Sequence, residues 1–359
     1  MFKDKSLAIL IPIVSIILAF IIGGIIMALT GQNPLEAYSF LLKGAFGSVG
    51  SIGETFVKAI PLVFTGLAAT FAYRCGIFNL GGEGQFIMGA VASAALITAF
   101  TETMNPALLL IISLIIGTIV GGLWGVIPGL LKAYFSLNEM IITILLNYIA
   151  VLFMDYLYSG PLKEANIPQT MAVEQSSQLS KIFPGTRIHL GLVIAIIVVA
   201  VLYYFLFHTS NGFKLRAVGL NPEASRVNGY DVKKILILTF IISGAIAGLG
   251  GSVELHGAQY RLMAGFGDGF GFDGVAIALI GQLNPIGTLL VAYFFAILRT
   301  GANAMQIATG ISTTVVDIIQ ALVIIFVIGS SYFTSQSVIP KFFNRFTRRK
   351  KDTNTEEVL

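Results

Sequence analysis

Charge is what this sequence has least of. Asp, Glu, Lys and Arg make up 11% of its 359 residues and hydrophobic residues 56%, where an ordinary soluble domain carries about 25% charged residues. That balance excludes a water-soluble globule and points to an integral membrane protein. Cysteine is almost absent. Cys75 alone cannot close an internal disulfide, so nothing marks an oxidising compartment, and a lone small apolar thiol is expected to be buried. The three histidines, His189, His208 and His256, are too scattered for a metal motif, and neither H-E-x-x-H nor paired C-x-x-C occurs. There is no G-x-x-x-x-G-K-[ST], so no P-loop cradles ATP phosphates here. The expectation is a chain that is not an enzyme, holds no metal and no cofactor, and draws any chemical energy from another polypeptide. The net charge of +4 is spread over loop ends and one tail rather than gathered in a stripe, which argues against a nucleic-acid partner.

What is abundant is uncharged apolar sequence. Residues 6–29 carry no charge over 24 positions, enough to cross a hydrocarbon core that needs about 20 helical residues. A cleaved signal peptide has an apolar region of only about 7 to 15 residues, so this run is expected to remain as the first helix. Length and punctuation predict an all-α, polytopic membrane protein with about ten transmembrane helices. They fall near 6–29, 55–73, 84–100, 107–131, 139–158, 190–208, 234–252, 272–283, 286–300 and 311–331. Asn33-Pro34, Asn105-Pro106, Asn221-Pro222 and Asn284-Pro285 mark breaks between them, because an Asn-Pro pair favours turns and resists a helix interior.

Ten crossings place both termini on one side. Fifteen of the 22 Lys and Arg residues then lie on that side and seven on the other, which by the positive-inside rule makes both termini cytoplasmic; the cell (plasma) membrane is the expected location. Residues 1–340 form the membrane domain, and 341–359 a basic then polar cytoplasmic tail suited to anchoring on anionic headgroups.

Residues 56–158 and 234–331 repeat one order of parts: a helix, a glycine-rich polar stretch, a helix, an Asn-Pro turn and another helix. The first stretch is GIFNLGGEGQ, residues 76–85, and the second GFGDGFGFDG, residues 265–274. The blocks would enter the membrane from opposite sides, as inverted repeats do when a pathway runs between them. Irregular backbone at membrane depth survives only against protein or a water-filled cavity. Phe78, Asn79, Glu83 and Gln85 in the first stretch, and Asp268, Phe270, Phe272 and Asp273 in the second, are therefore the candidate pathway residues: polar groups to bond a solute, rings to stack on it. A solvated cytoplasmic turn and an interfacial aromatic belt are the competing readings. Gly269–Gly274 also matches G-x-G-x-x-G, but without the strand that a dinucleotide site requires.

Residues 209–233 form an inner loop with a strong internal signature. Asn221 is set to cap a helix, Pro222 to occupy its first position, Glu223 to complement its positive end, and Gly229 to stop it. The helix would be about seven residues long, whereas isolated helices need about 12 to 15. Packing on its own bundle or docking on a cytoplasmic partner must hold it.

Three stretches, AYRCGIFNLGGEGQFIMGA, AVGLNPEASRVNGYDV and GFDGVAIALIGQLNPIG, together resemble the permease subunits of ATP-binding-cassette (ABC) importers for nucleosides and simple sugars, within the larger group of ribose and branched-chain amino acid permeases. The likeness covers most of residues 55–331. It implies ten helices, a cytoplasmic ABC ATPase that binds the ATP, a second related permease in a heterodimer or homodimer, and an extracellular substrate-binding lipoprotein. It also implies a coupling helix toward the ATPase at Gly219, Asn221, Pro222, Glu223, Ala224, Ser225, Arg226 and Gly229. Ser225 and Tyr230 depart from the family's usual small and branched aliphatic residues. A simple-sugar permease is the alternative within the family. A proton-coupled carrier using Asp317, expected inside the last helix, is the alternative outside it. The outer loop, residues 159–189, is expected to receive the binding protein, and Glu54 and Lys58, one turn apart, to pair with each other.

Overall fold

The computed structural model describes residues 2–267 and 269–335, with side chains placed for 14–267 and 269–329. Asp268 and the tail 341–359 lie outside the described residues. Among those described there are thirteen α-helices: α1 (Phe2–Leu29), α2 (Pro34–Phe46), α3 (Val49–Arg74), α4 (Gly82–Phe100), α5 (Pro106–Phe135), α6 (Glu139–Ser159), α7 (Gly191–His208), α8 (Ser210–Leu220), α9 (Pro222–Val227), α10 (Val232–Glu254), α11 (Phe270–Ile280), α12 (Pro285–Thr309) and α13 (Thr314–Ser335). A two-stranded antiparallel hairpin, β1 (Lys163–Glu164) and β2 (Ile167–Thr170), decorates the loop after α6. All four Asn-Pro pairs open a helix: the Asn side chain accepts a backbone N–H of the first turn at Leu35, Ala107, Ala224 and Ile286, at 2.9–3.1 Å. The proline behind it needs no donor of its own.

Among the described residues seven helices are long and apolar enough to cross a membrane: α3, α4, α5, α6, α7, α10 with its extension to Gln259, and α12. Val14–Leu29, Phe270–Ile280 and Thr314–Gly329 are shorter apolar helices. Two helices fall where loops were expected. α2 has 13 residues and α8 has 11, both too short to register as crossings, and each follows a break that reads as the start of a loop.

The helices divide into two bodies, Met1–Phe40 with Met305–Leu359, and Leu41–Ala304. In the first, α1 packs on α13: Ser15 Oγ donates to the Phe326 carbonyl at 3.3 Å, and the Tyr38 hydroxyl to the Phe20 carbonyl at 2.5 Å. α13 begins at Thr314, so Asp317 lies in its exposed first turn, not within the helix facing an inward partner. There its charge complements the positive helix end.

The second body is organised around α3, which is buried along nearly its whole length and packed by α4, α7, α10 and α11. α10 lies in the groove between α4 and α5, and small residues make that fit. A Cβ on Gly121 would sit 2.5 Å from the Gly244 oxygen and 2.6 Å from the Gly248 Cα. Backbones this close gain dispersion contacts and interhelical hydrogen bonds, the forces that associate helices where lipid removes the hydrophobic drive. The outer surface is the reverse of a soluble protein's. On α5, Leu108, Ile111, Ile115, Ile119 and Leu123 point outward, while Ser113, Gly117, Gly121 and Gly125 point in. α6 repeats this with Ile141, Leu145, Tyr148 and Leu152 outside and Thr143, Asn147 and Ala150 inside.

Candidate functional site

The two glycine-rich stretches meet. α11 spans 11 residues, about 16 Å at 1.5 Å per residue, or half of a core about 30 Å thick. Its first turn abuts the first turn of α4: a Cβ on Gly82 would lie 3.9 Å from the Gly271 Cα, and one on Gly271 would strike the Glu83 backbone. Two positive helix ends therefore face one another, each with a carboxylate in its first turn, Glu83 and Asp273.

Asn79 and Gln85 are buried and bonded to the frame. Asn79 Nδ2 donates to Gln85 Oε1 at 3.0 Å and to Ser243 Oγ of α10 at 2.9 Å, its Oδ1 accepts the Gly81 N–H at 3.0 Å, and Ser243 Oγ donates on to the Ala68 carbonyl of α3 at 2.8 Å. One asparagine thus ties the loop to three helices. Glu83 is also buried, at 8% exposure. Phe78 meets Tyr73 at the end of α3, 5.0 Å between ring centres, and is half-exposed.

In the second stretch, Phe270 meets the Phe86 ring of α4 edge-on at 5.6 Å, and Phe266 lies 6.0 Å from the same ring. The Asp273 carboxylate pairs with Arg299 of α12 at 2.6 Å, and the Arg299 guanidinium sits 5.0 Å from the Phe270 ring centre. Phe272 is half-exposed. Asn79, Glu83, Gln85, Phe270 and Asp273 are thus brought into one neighbourhood, while Phe78 and Phe272 flank it.

Sequence reading missed three participants. Asn147, buried in α6, accepts the Gly84 N–H at 2.8 Å and donates to the Leu80 carbonyl at 2.8 Å, fixing the entry to α4. A polar amide in the middle of an apolar helix was the available signal. Asn147→Leu should strand a buried N–H and a buried carbonyl, at about 1 to 3 kcal/mol for an unsatisfied group. The detergent-solubilised protein is expected to unfold at a clearly lower temperature than wild type. Glu254 is the second: it ends α10, is 5% exposed, and accepts from Gln259 Nε2 at 3.1 Å. The third is Arg74, whose Nε and Nη2 donate to the Leu283 and Gln282 carbonyls at 2.7 and 3.3 Å, in the left-handed turn between α11 and α12.

The loop of residues 209–233 folds into α8 and α9. Asn221 Oδ1 accepts the Ala224 N–H at 3.0 Å, Pro222 takes the first position, and Gly229, at φ 81°, ends the segment. Glu223 and Arg226 pair at 3.0 Å on its exposed face, and Ser225 is buried. Gly219, at the end of α8, lies against the chain leaving α3, where its Cβ would come within 2.8 Å of the Cys75 carbonyl carbon. Leu220 and Val227 are each 89% exposed. Cys75 is buried beneath, and burial pushes its thiol up to about 11, so it stays protonated and inert.

The loop of residues 159–189 is fastened to the far end of α10, where a π-helical turn, Leu255–Gln259, ends the helix. Leu179 N–H bonds the His256 carbonyl at 3.0 Å, His256 Nδ1 contacts the Ser177 carbonyl at 2.9 Å, and Arg187 donates to the Ala258 carbonyl at 2.9 Å. Arg187 also takes Glu54 at 3.3 Å, so the close ionic partner of Glu54 is Arg187 rather than Lys58. His189 packs against Gly257, and burial, with Arg187 nearby, holds its imidazole down to about 4 and hence neutral.

The bundle thus combines glycine-packed helices, a helix, α8, that meets the end of the central helix through Gly219, and two helix starts in contact. A family model for the permease component of branched-chain amino acid transport systems matches residues 51–328. The chain belongs to this permease family. The guanosine ABC transporter permease NupP of Bacillus subtilis is 39% identical over 330 residues, covering 90% of this permease and 93% of that protein. The nucleoside ABC transporter permease NupB of Lactococcus lactis is 35% identical over 94% and 95%. A glucose ABC transporter permease of Haloferax volcanii is 32% identical over 90% and 87%. No solved structure matches the permease. It is a multi-pass membrane protein and a transport subunit.

Proposed function

We propose that this permease forms the path by which an ABC importer moves nucleosides, or closely related small polar solutes, across the plasma membrane. The observation that carries the reading is α9: a six-residue capped helix that ends on exposed Val227 and follows exposed Leu220, joined to α8, whose Gly219 sits on the end of α3. Apolar side chains this exposed on so short a helix call for a partner that covers them, and an ATPase subunit that binds and hydrolyses the ATP is the partner proposed. The relatives named for guanosine and nucleosides support the solute.

Ten crossings follow if α1, α3, α4, α5, α6, α7, α10, α11, α12 and α13 are inserted and α2, α8 and α9 are not. Both termini are then cytoplasmic. Residues 56–158 and 234–331 act as inverted repeats, and the meeting of α4 and α11 is the junction about which one rocks against the other. Asn79, Glu83, Gln85, Asp268 and Asp273 are proposed to line the path, with Phe78, Phe270 and Phe272 as stacking surfaces. The assembly includes a second permease, an external binding lipoprotein that supplies much of the specificity, and the lipid bilayer. A further nucleoside ABC permease of Lactococcus lactis, NupC, is 27% identical over 81% of the chain, which supports pairing of related permeases in one transporter.

Uptake of radiolabelled guanosine and ribose into cells with and without the permease, each competed by the other, tests the solute. Guanosine uptake that vanishes with the gene and resists ribose is the expected result. Ribose or glucose uptake in its place would establish the sugar reading that the Haloferax volcanii relative favours. Uptake that survives ATP depletion and fails in Asp317→Asn would overturn both.

A further inference from the structure

A cavity of about 490 Å³ opens beside α9, between α3, α7, α8 and α10. Its size falls in the range of about 300 to 1,000 Å³ that holds a small ligand, and its two halves differ in chemistry. Buried Phe71, Leu215 and Thr239, with Phe205 and Ile242, make an apolar interior, and Leu238, 43% exposed, forms an apolar side wall. The rim belongs to the loop end of the bundle and carries Lys214 from α8 and Lys234 from α10, with Asn211 beside them. Asp231 is also on the rim, but its Oδ1 is engaged by the Lys234 N–H at 3.0 Å as the cap of α10. The carboxylate keeps its charge and offsets the positive end of α10, so two lysines against one aspartate leave the rim a surplus of one positive charge.

α7 and α10 are both apolar enough to cross a membrane, and the rim lies at the end of each, where lipid headgroups would stand. A soluble anion would leave the interior empty, and an uncharged chain would leave the surplus positive charge of the rim unanswered. From this pairing of a lysine rim with an apolar interior open at Leu238, we propose that the cavity is a site for an anionic phospholipid. Its phosphate is held by Lys214 and Lys234 and part of an acyl chain lies between Phe205, Leu238 and Ile242. Gly229 and Tyr230, the link from α9 to α10, line the same cavity, so the bound lipid touches the segment that follows α9. The site needs only that α7 and α10 be inserted in a bilayer, not that the solute be a nucleoside.

The test is native mass spectrometry of the purified full-length permease, with phosphatidylglycerol or phosphatidylcholine added and inorganic phosphate as the soluble control. One phosphatidylglycerol retained per chain is expected, in preference to phosphatidylcholine. The double variant Lys214→Gln/Lys234→Gln should weaken that retention on the order of tenfold or more, since each basic group near a membrane surface contributes about 1 kcal/mol toward anionic lipid. Leu238→Trp, which fills the wall without touching charge, should weaken it as well. Equal retention of the two lipids, retention indifferent to both variants, or full competition by inorganic phosphate would overturn the proposal. So would a disulfide between two copies of Leu238→Cys in the bilayer, because a second permease would then cover the opening. Lipid retention is read without any transport measurement, so its failure and that of the import reading are separable.

Discussion

Replacing Gly251 with valine is expected to leave little folded permease. A Cβ at this position of α10 would run into the Phe86 carbonyl of α4 and come within 3.2 Å of the Ala90 nitrogen. Both obstacles are backbone, held in the hydrogen-bond ladder of α4, so no rotamer change relieves them. Overpacking a tight interior costs about 1 to 3 kcal/mol, occasionally more, and a domain holds only about 5 to 15 kcal/mol in all. The neighbours cannot absorb it: Gly89 abuts Gly248, and Ser252 Oγ donates to the Gly89 carbonyl at 3.3 Å while accepting from Ser93 Oγ at 2.8 Å. Separating α4 from α10 would break that serine chain too. Size-exclusion profiles of the detergent-solubilised variant should show aggregate and little monodisperse protein. Gly50→Ala, whose nearest foreign atom would be Ser48 Oγ at 3.7 Å, should match wild type. A monodisperse peak of normal height for the Gly251 variant would refute the packing described for α4 and α10.

The second large effect separates transport from folding. Gly219→Val inserts bulk between α8 and the Arg74–Gly76 segment, where a Cβ on Gly219 would run into the Arg74 carbonyl oxygen. The segment lies at the end of α3 rather than inside a helix ladder, so it can shift, and uptake is read per amount of monodisperse permease. The contact is the mechanical link proposed between α9 and the central helix, and Arg74 carries it to the turn before α12 through Leu283 and Gln282. Uptake in cells should fall about tenfold, within the coupling change of about 0.5 to 2 kcal/mol expected of a residue on such a link. ATP hydrolysis by the assembled transporter should continue. Arg74→Gln cuts the same route without adding volume and should uncouple similarly. If both variants pump normally, force does not pass through this junction.

Much of the architecture was legible in the primary structure because a bilayer constrains it so severely. Uncharged runs of helical length had to be helices, and Asn221, Pro222 and Gly229 specified a short helix by local chemistry alone, which the fold contains as Pro222–Val227. The short helices were not legible. α2 and α8 have neither the length nor the uniform apolarity that marks a crossing, and their helicity depends on what they pack against. Partners of charged residues were misjudged for a related reason. Glu54 has Lys58 one turn away in sequence, but a loop more than a hundred residues later brings Arg187 within 3.3 Å.

The sequence by itself thus determined that this chain is a helical membrane protein, where its main helices begin, and which loop forms a capped element. Only the tertiary structure decided that GIFNLGGEGQ and GFGDGFGFDG face one another, that Asn147 and Ser243 hold the first stretch, and that Arg299 answers Asp273. The division follows range. Helix length, capping and hydropathy are set within a few residues, whereas a buried amide or carboxylate in the bilayer takes whichever partner the packing of distant helices presents.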